Sequence, residues 1–301
     1  MSLPVSGLTQ SRYLRQALDA ITVRLDGTSA AATTIRRKRA VFNNALEYAV
    51  ELEELAANNL SRVGWRAPKV SEVVDRRVVI NPDQARELLT AVTYVGQFDR
   101  GRHLRAFFAC MYFAGLRPAE ALGLREQDCQ LPATGWGEVI LVKSRPQTNK
   151  RWTDAGTTHE ERGLKHRATA ETRPVPIPRE LVTILREHLA EFGTAPDGRL
   201  FRTRGNRAIP ASSYGDAWAA ARTLGLTPGQ VLSPLADRPY ASRHAAVSLW
   251  LNAGVPVTEV AERAGHGVDV LLRVYAKCVD GGQERSNRRI DAVLRGAVCA
   301  V

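Results

Sequence analysis

GLRPAEALGLREQD, residues 115–128, is the stretch on which the reading of this chain turns. Gly115 stops an apolar helix that carries Leu104, Phe107, Phe108 and Met111, and Pro118 suits the first position of the next helix. Arg117 is thereby expected at a helix N-terminus, where free backbone N–H groups and the helix dipole favour an anion. Glu120, three residues on, is close enough to brace its guanidinium. Upstream, Asn81 and Pro82 read as the cap and first residue of a helix with Leu88, Leu89 and Val92 on its inner face. Downstream, EVILVK (138–143) and RPVPIP (173–178) read as short strands. The second is an edge strand, because proline has no N–H to give to a ladder. A long polar stretch, residues 144–172, separates them. A further helix follows with Leu181, Ile184, Leu185 and Leu189, and the last third is helical, punctuated by Gly254, Pro256 and Gly265. The expected fold class is α+β: mostly α with one small β-sheet.

The N-terminal part reads differently. Residues 28 to about 60 are expected to be helical, with Ile35, Phe42, Leu46, Ala49 and Leu55 near helical spacing and Thr28 or Ser29 as cap. Arg36, Arg37, Lys38 and Arg39 fill a whole helical turn, so they cannot all face one way. They are candidate DNA contacts, with a solvated face as the plainer alternative. Residues 61–77 lose the periodicity and carry Gly64 and Pro68, as a linker would. The expected division is a helical domain over 1–66, a linker over 67–77 and a second domain over 78–301.

Composition narrows the function. The chain of 301 residues is 44% apolar and 24% charged, an ordinary globular balance. No apolar run approaches the roughly 18–20 residues of a membrane span, and the N-terminus lacks the form of a secretory signal, so no membrane partner and a cytoplasmic location are expected. Net charge is +11, from 42 Lys+Arg against 31 Asp+Glu. A polyanion is the natural partner, since each neutralised phosphate releases condensed counterions. Arginine-rich composition without such a partner is the bland alternative. Four cysteines, Cys110, Cys129, Cys278 and Cys299, are too scattered for a zinc site, and no metal or other cofactor is expected. The motifs of ATP-binding loops, serine hydrolases and zinc proteases do not occur.

Four further segments carry candidate chemistry. RPYASRHAAVSLWLNAG (238–254) places Arg243 and His244 on a helix that Asn252 and Gly254 end. ERAGHG (262–267) puts His266 just past a helix end, and VDVLLRVYAK (268–277) puts Tyr275 nine residues later. Tyr275 is at helical spacing from Leu271 and Leu272, so a core tyrosine is its rival reading. LKHRATAETRPVPIP (164–178) carries Lys165, one of only six lysines, while Lys143 and Lys150 lie in or beside the same inter-strand region.

Taken in order, these boxes resemble the tyrosine recombinases, the phage-integrase family, over roughly residues 30 to 290. The resemblance implies a helical core-DNA-binding domain, short or truncated here, followed by the family's catalytic domain. It implies that Arg117 and Arg243 clamp the scissile phosphate, with Glu120 in support, that His266 hydrogen-bonds the phosphate and that Tyr275 is the nucleophile. Lys165, before the Arg-Pro-Val-Pro strand, best matches the lysine that protonates the leaving oxygen, with Lys143 and Lys150 as alternatives. The chain departs from the family where Tyr240 stands in the usual histidine position and Ala241-Ser242 replaces Asp-Leu; His244 is expected to pack or to support a neighbour. The implied activity is site-specific recombination or integration through a 3′-phosphotyrosine intermediate, on double-stranded DNA attachment sites of a mobile element, by a homotetramer. A catalytically inactive DNA-binding relative and a type IB topoisomerase-like enzyme are the alternatives. The C-terminal segment SNRRIDAVLRGAVCAV (286–301) is expected to form a helix that packs on a neighbouring protomer or folds back on its own domain.

Overall fold

The computed structural model describes residues 4–70, 73–154, 156–165, 171–278 and a few isolated positions between 287 and 295. The expectation for the C-terminal segment, and Cys299 with it, lies for the most part outside the described residues. The chain divides into two compact units, Met1–Glu72 and Val73–Val301.

The first unit is built on α1 (Ser11–Ala20) and α2 (Ala32–Glu51), followed by a 3-10 turn over Asn59–Arg62. Its small core gathers Leu14, Leu18, Leu46, Leu55, Leu60 and Val63. The expected cap at Thr28 or Ser29 is not where α2 begins. The N-cap is Ala31, without a side-chain bond. Thr28 instead donates from its N–H and its hydroxyl to Asp26 Oδ1, at 2.9 and 2.6 Å, and Ser29 bridges Val23. These bonds close a turn three residues ahead of the helix, which is what short hydroxyl and carboxylate side chains do when they compete with the helix for backbone partners. On α2, Ile35 is buried, Arg36, Arg37 and Lys38 are exposed, and Arg39 is half-buried.

The second unit begins with α3 (Pro82–Val92), α4 (Arg100–Phe113) and α5 (Pro118–Gly123). The start of α3 is a reciprocal cap: Gln84 N–H donates to Asn81 Oδ1 at 2.9 Å, and Asn81 N–H donates to Gln84 Oε1 at 3.0 Å. Helix α4 buries Leu104, Phe107, Phe108, Met111 and Tyr112 and so is covered on nearly all sides. The sheet follows, with β1 (Cys129–Gln130), β2 (Gly137–Leu141) and β3 (Arg173–Ile177) antiparallel in the order β1-β2-β3. Proline-rich β3 occupies the edge, as its composition requires. In β3 Arg173, Val175 and Ile177 alternate inward, in a strict period of two.

Helices α6 (Arg179–Phe192), α7 (Ala211–Gly225) and α8 (Pro228–Leu232) complete the main layer. Helices α9 (Tyr240–Ala253), α10 (Val257–Ala264) and α11 (Val268–Tyr275) form a smaller cluster with its own apolar core of Val247, Trp250, Val260 and Leu271. The left-handed residues Gly254 (φ 85) and Gly265 (φ 59) end α9 and α10. Among the described residues no helix is long and apolar enough to cross a membrane.

The cap of α3 gives a direct test. Asn81→Ala removes the side-chain bond of the reciprocal cap and leaves the bond from its backbone N–H to Gln84, and a loss of about 0.5–2 kcal/mol is expected in urea unfolding. An unchanged midpoint would show that the cap holds nothing.

Candidate active site

Glu120 is the centre of the site. It lies in the first turn of α5 and is almost wholly buried, 1% exposed. Its carboxylate accepts from Arg173 through both ends of the guanidinium, at 3.0 and 2.8 Å. It also accepts from Arg117 Nη1 at 2.6 Å and from the Arg117 backbone N–H at 2.8 Å. Arg243 Nη1 stands 3.9 Å from the same group. Burial alone would raise the carboxyl, but Arg173 first, then Arg243 and Arg117, bring it down to about 2.

The sequence placed Arg117 where free helix N–H groups could hold an anion. The structure fills that position from within, since the Glu120 side chain takes the Arg117 N–H. What remains for a ligand is the guanidinium charge. Three guanidinium groups share one carboxylate, an excess of two positive charges in a nearly closed space.

Arg117 and Arg243 also hold the turn between α10 and α11. Arg117 Nη2 donates to the Gly265 carbonyl at 2.7 Å. Arg243, fully buried in α9, donates to the carbonyls of Gly115 and Ala264. Burial lowers its pKa, with Arg117 adding to the effect. Gly265 is required here twice over. Its φ of +59 is left-handed, and a Cβ would stand 2.1 Å from Arg173 Nη1 and 3.3 Å from Arg117 Nη1.

The two histidines and the tyrosine meet beside this cluster. His244 Nδ1 lies 2.9 Å from the Tyr275 hydroxyl. The His266 and Tyr275 ring centroids are 6.2 Å apart, and Tyr240 packs edge-on to His244 at 5.0 Å. Tyr275 is sealed, 1% exposed. Burial pushes its phenol above the ordinary range, while Arg243 and Arg117 pull the other way. Burial, and then the charge of Arg243, lower His244 to about 4 and His266 to about 3. Both imidazoles are therefore neutral at pH 7. His266 Nε2 is buried with no hydrogen-bond partner, so it has one unspent donor or acceptor.

Arg117, Glu120, Arg243, His244, His266, Tyr240 and Tyr275 are thus brought together. Lys165 is exposed in a turn, and among the described residues no hydrogen bond or ion pair joins it to the cluster. Lys143 is tied to Glu161 at 2.9 Å, and Lys150 is exposed on a 3-10 turn. Arg173 is the residue the sequence reading missed. A signal existed, because an arginine in the inward register of Arg173-x-Val175-x-Ile177 is a buried charge that needs a carboxylate.

Comparison with known proteins bears on the fold. No protein-family profile matches the chain. It is 26% identical over 231 residues, 73% of its length, to the tyrosine recombinase XerC of Nitrobacter winogradskyi, and it spans 61% of that relative. Among solved structures it is similar to the Tn1549 transposon integrase bound to transposon right end DNA, with TM-score 0.66, 18% identity and coverage of 93% of this chain and 85% of that one. The XerH recombinase bound to its difH substrate gives TM-score 0.60 and 14% identity over 93% of this chain and 70% of that one. A lambda integrase dimer on a core site gives 0.54 and 12%, over 88% and 81%. These likenesses show a shared fold.

The charge balance has a pH signature. His244 and His266 are depressed below about 6.5, and Glu120 below its ordinary value of about 4.5. Each contributes stability that is complete above its unfolded pKa and is lost as pH falls toward its folded value. Stability is expected to decline first below about pH 6.5 and again between about pH 4.5 and 2. Glu120→Gln should make the second decline shallower, since Asp75, Glu161 and Asp197 are also held low and keep part of it, and should cost about 3–5 kcal/mol at neutral pH, as loss of a buried ion partner does. Chemical denaturation across pH checks both. An acid limb unchanged by Glu120→Gln would remove Glu120 from the centre of the site.

Proposed function

We propose that this chain, whose fold is that of the tyrosine recombinase/integrase family, cuts and rejoins DNA site-specifically through a 3′-phosphotyrosine on Tyr275. The observation that supports the reading is a carboxylate, Glu120, that gathers three guanidinium groups, with the Tyr275 phenol bonded to His244 and within the field of two of them, Arg243 and Arg117. The excess charge suits a phosphodiester and, better still, the more negative pentavalent transition state, and stabilising charge as it develops is where catalysis gains most. Arginine forks match non-bridging phosphate oxygens in pairs.

Attack by the Tyr275 oxygen on phosphorus forms the phosphotyrosyl bond and breaks the bond to the 5′-oxygen. The phenol proton has a neutral acceptor in His244 Nδ1, and His266 Nε2 has an unspent donor position for a phosphate oxygen. The 5′-oxygen takes a proton from Lys165 in this scheme, with Lys143 and Lys150 as the alternatives. Rejoining reverses the step with a different 5′-hydroxyl, so no high-energy cofactor is consumed.

DNA must open the site. Arg243 commits Nη1 and Nη2 to the Gly115 and Ala264 carbonyls, its Nε is buried without a partner, and the phenol is sealed. A phosphate that draws the arginines away from the Ala264–Gly265 carbonyls would free the α10–α11 turn and expose Tyr275 together. The exposed Arg36, Arg37 and Lys38 of α2 supply phosphate contacts in the same reading, with Arg39 beside them. The partners are double-stranded attachment sites, the working assembly is a homotetramer, and the location is the cytoplasm. The closed site is also what a catalytically silent DNA-binding relative would show, so the chemistry has to be tested.

Incubation with nicked duplex substrates that lose the leaving strand is expected to trap a covalent protein–DNA adduct, and Tyr275→Phe to abolish it. DNA binding without any adduct would favour the silent relative, and relaxation of plasmids without site dependence the topoisomerase-like one. Lys165→Ala should slow cleavage about 10²–10⁴-fold. A 5′-bridging sulfur, which leaves without a proton, should restore most of the rate. If that rescue belongs instead to Lys143→Ala or Lys150→Ala, the acid is reassigned.

A further inference from the structure

The polar stretch between β2 and β3 forms a rooted arm. Ser144 and Arg162 exchange backbone bonds at 2.8 and 2.9 Å, and Thr148 N–H donates to the Thr158 carbonyl at 2.8 Å. Gln147 and His159 bridge between these pairs. The root is fastened to the body of the second unit at several points. Arg145 N–H donates to the Ala119 carbonyl of α5 at 2.8 Å, and the Arg145 guanidinium meets Asp197 at 3.3 Å. Glu161 is held by Arg125 and Lys143, and Gln147 Oε1 accepts from the Ala211 N–H at 2.7 Å. Gly123 packs so closely that a Cβ would come within 2.9 Å of the Lys143 carbonyl. The arm, which runs out of β2, is therefore seated against α5, the helix that carries Arg117 at its cap and Glu120 in its first turn.

Its tip is built of a different set of residues. Lys150, Arg151 and Trp152 form a 3-10 turn whose start is capped by Asn149, which accepts from the Arg151 N–H at 3.0 Å. Thr153 fastens the turn through its hydroxyl, donating to the Lys150 and Thr157 carbonyls at 3.1 and 2.7 Å. Trp152 is 78% exposed, and Lys150 and Arg151 are exposed beside it. Within the arm's own fold neither cation has a recorded acidic partner among the described residues. An indole held in water by an ordered, doubly cationic turn gains nothing in the free protein. It gains in contact with a partner that offers phosphates and flat apolar faces together, which is what a nucleic acid strand with unstacked bases offers.

We propose that the Lys150-Arg151-Trp152 tip is a second DNA contact, in which the two cations hold the backbone and Trp152 stacks on a base that is out of the duplex stack. This rests on the reading above that the chain acts on DNA. It adds that the arm recognises locally unpaired or kinked DNA near the site of cutting. A fully stacked duplex would use the cations and leave the indole unspent.

The test uses the full chain and two synthetic duplexes of equal length, one fully paired and one with a central three-nucleotide bulge. The unmodified protein is expected to bind the bulged duplex more tightly. Base–aromatic stacking of about 1–3 kcal/mol corresponds to roughly 5- to 150-fold, so Trp152→Ala should weaken bulged-duplex binding by about that factor. Binding to the paired duplex should stay within about twofold, and Trp152→Phe should recover most of the loss. The double change Lys150→Ala with Arg151→Ala should weaken both duplexes alike and lower the salt slope by about two. Equal affinity of Trp152→Ala and the unmodified protein for the bulged duplex would overturn the stacking role. If adducts on the nicked substrates form normally in that case, only the arm proposal fails. If the unmodified protein binds neither duplex, the recombinase reading fails and the arm falls with it.

Discussion

Glu120 fixes the geometry of the second unit's working end. One carboxylate, taken out of water, holds Arg173 from β3 and Arg117 from the start of α5, and it lies within 3.9 Å of Arg243 from α9. Burying charge is costly unless the partners are hydrogen-bonded, and here the bonds are two-ended or reciprocal. The arrangement joins the sheet edge, two helices and, through Arg117 and Arg243, the turn after α10. It also leaves the region positively charged. A core designed for stability alone would have matched the guanidinium groups one to one; this one stays short of negative charge, which in the proposed function a phosphodiester supplies.

The same positive field explains the neighbouring side chains. Burial and the arginine charges keep His244 and His266 neutral, which preserves one nitrogen on each as an acceptor. A neutral imidazole of low pKa is a weak base. An incoming phosphate would offset part of the arginine charge and raise that basicity at the moment the phenol has to lose its proton. Binding and activation are then one electrostatic event. The price is a resting site in which the Tyr275 phenol is sealed and the α10–α11 turn is latched by Arg117 and Arg243, the residues proposed to hold the phosphate.

Much of this was legible in the chain. Helix α3 announced itself through Asn81 and Pro82, α4 through its apolar run, and the edge position of β3 through its prolines. Arg117, Glu120, Arg243, His266 and Tyr275 were legible because each sits in a short local string, and the structure gathers all five. What escaped has physical reasons. Arg173 hides in a strand whose inward alternation was read for its prolines and not for its charge. Helix α1 buries only Leu14 and Leu18 along ten residues, too thin a stripe to stand out from its polar neighbours. The arm between β2 and β3 is held by backbone pairs and ion pairs without an apolar period, so its sequence reads as a polar stretch. Lys165, exposed beside that arm, has no hydrogen bond or ion pair with another candidate among the described residues, so nothing in its surroundings marks it out.

The most direct measurement is to find the atom that carries the DNA. Protein trapped on a nicked substrate, digested with nuclease and trypsin, yields peptides whose mass and fragmentation locate any attached nucleotide. The account requires the nucleotide on the phenol of Tyr275, in the peptide that runs from Val274 to Lys277. A nucleotide on Tyr240, or on any residue outside the Glu120 cluster, would contradict it.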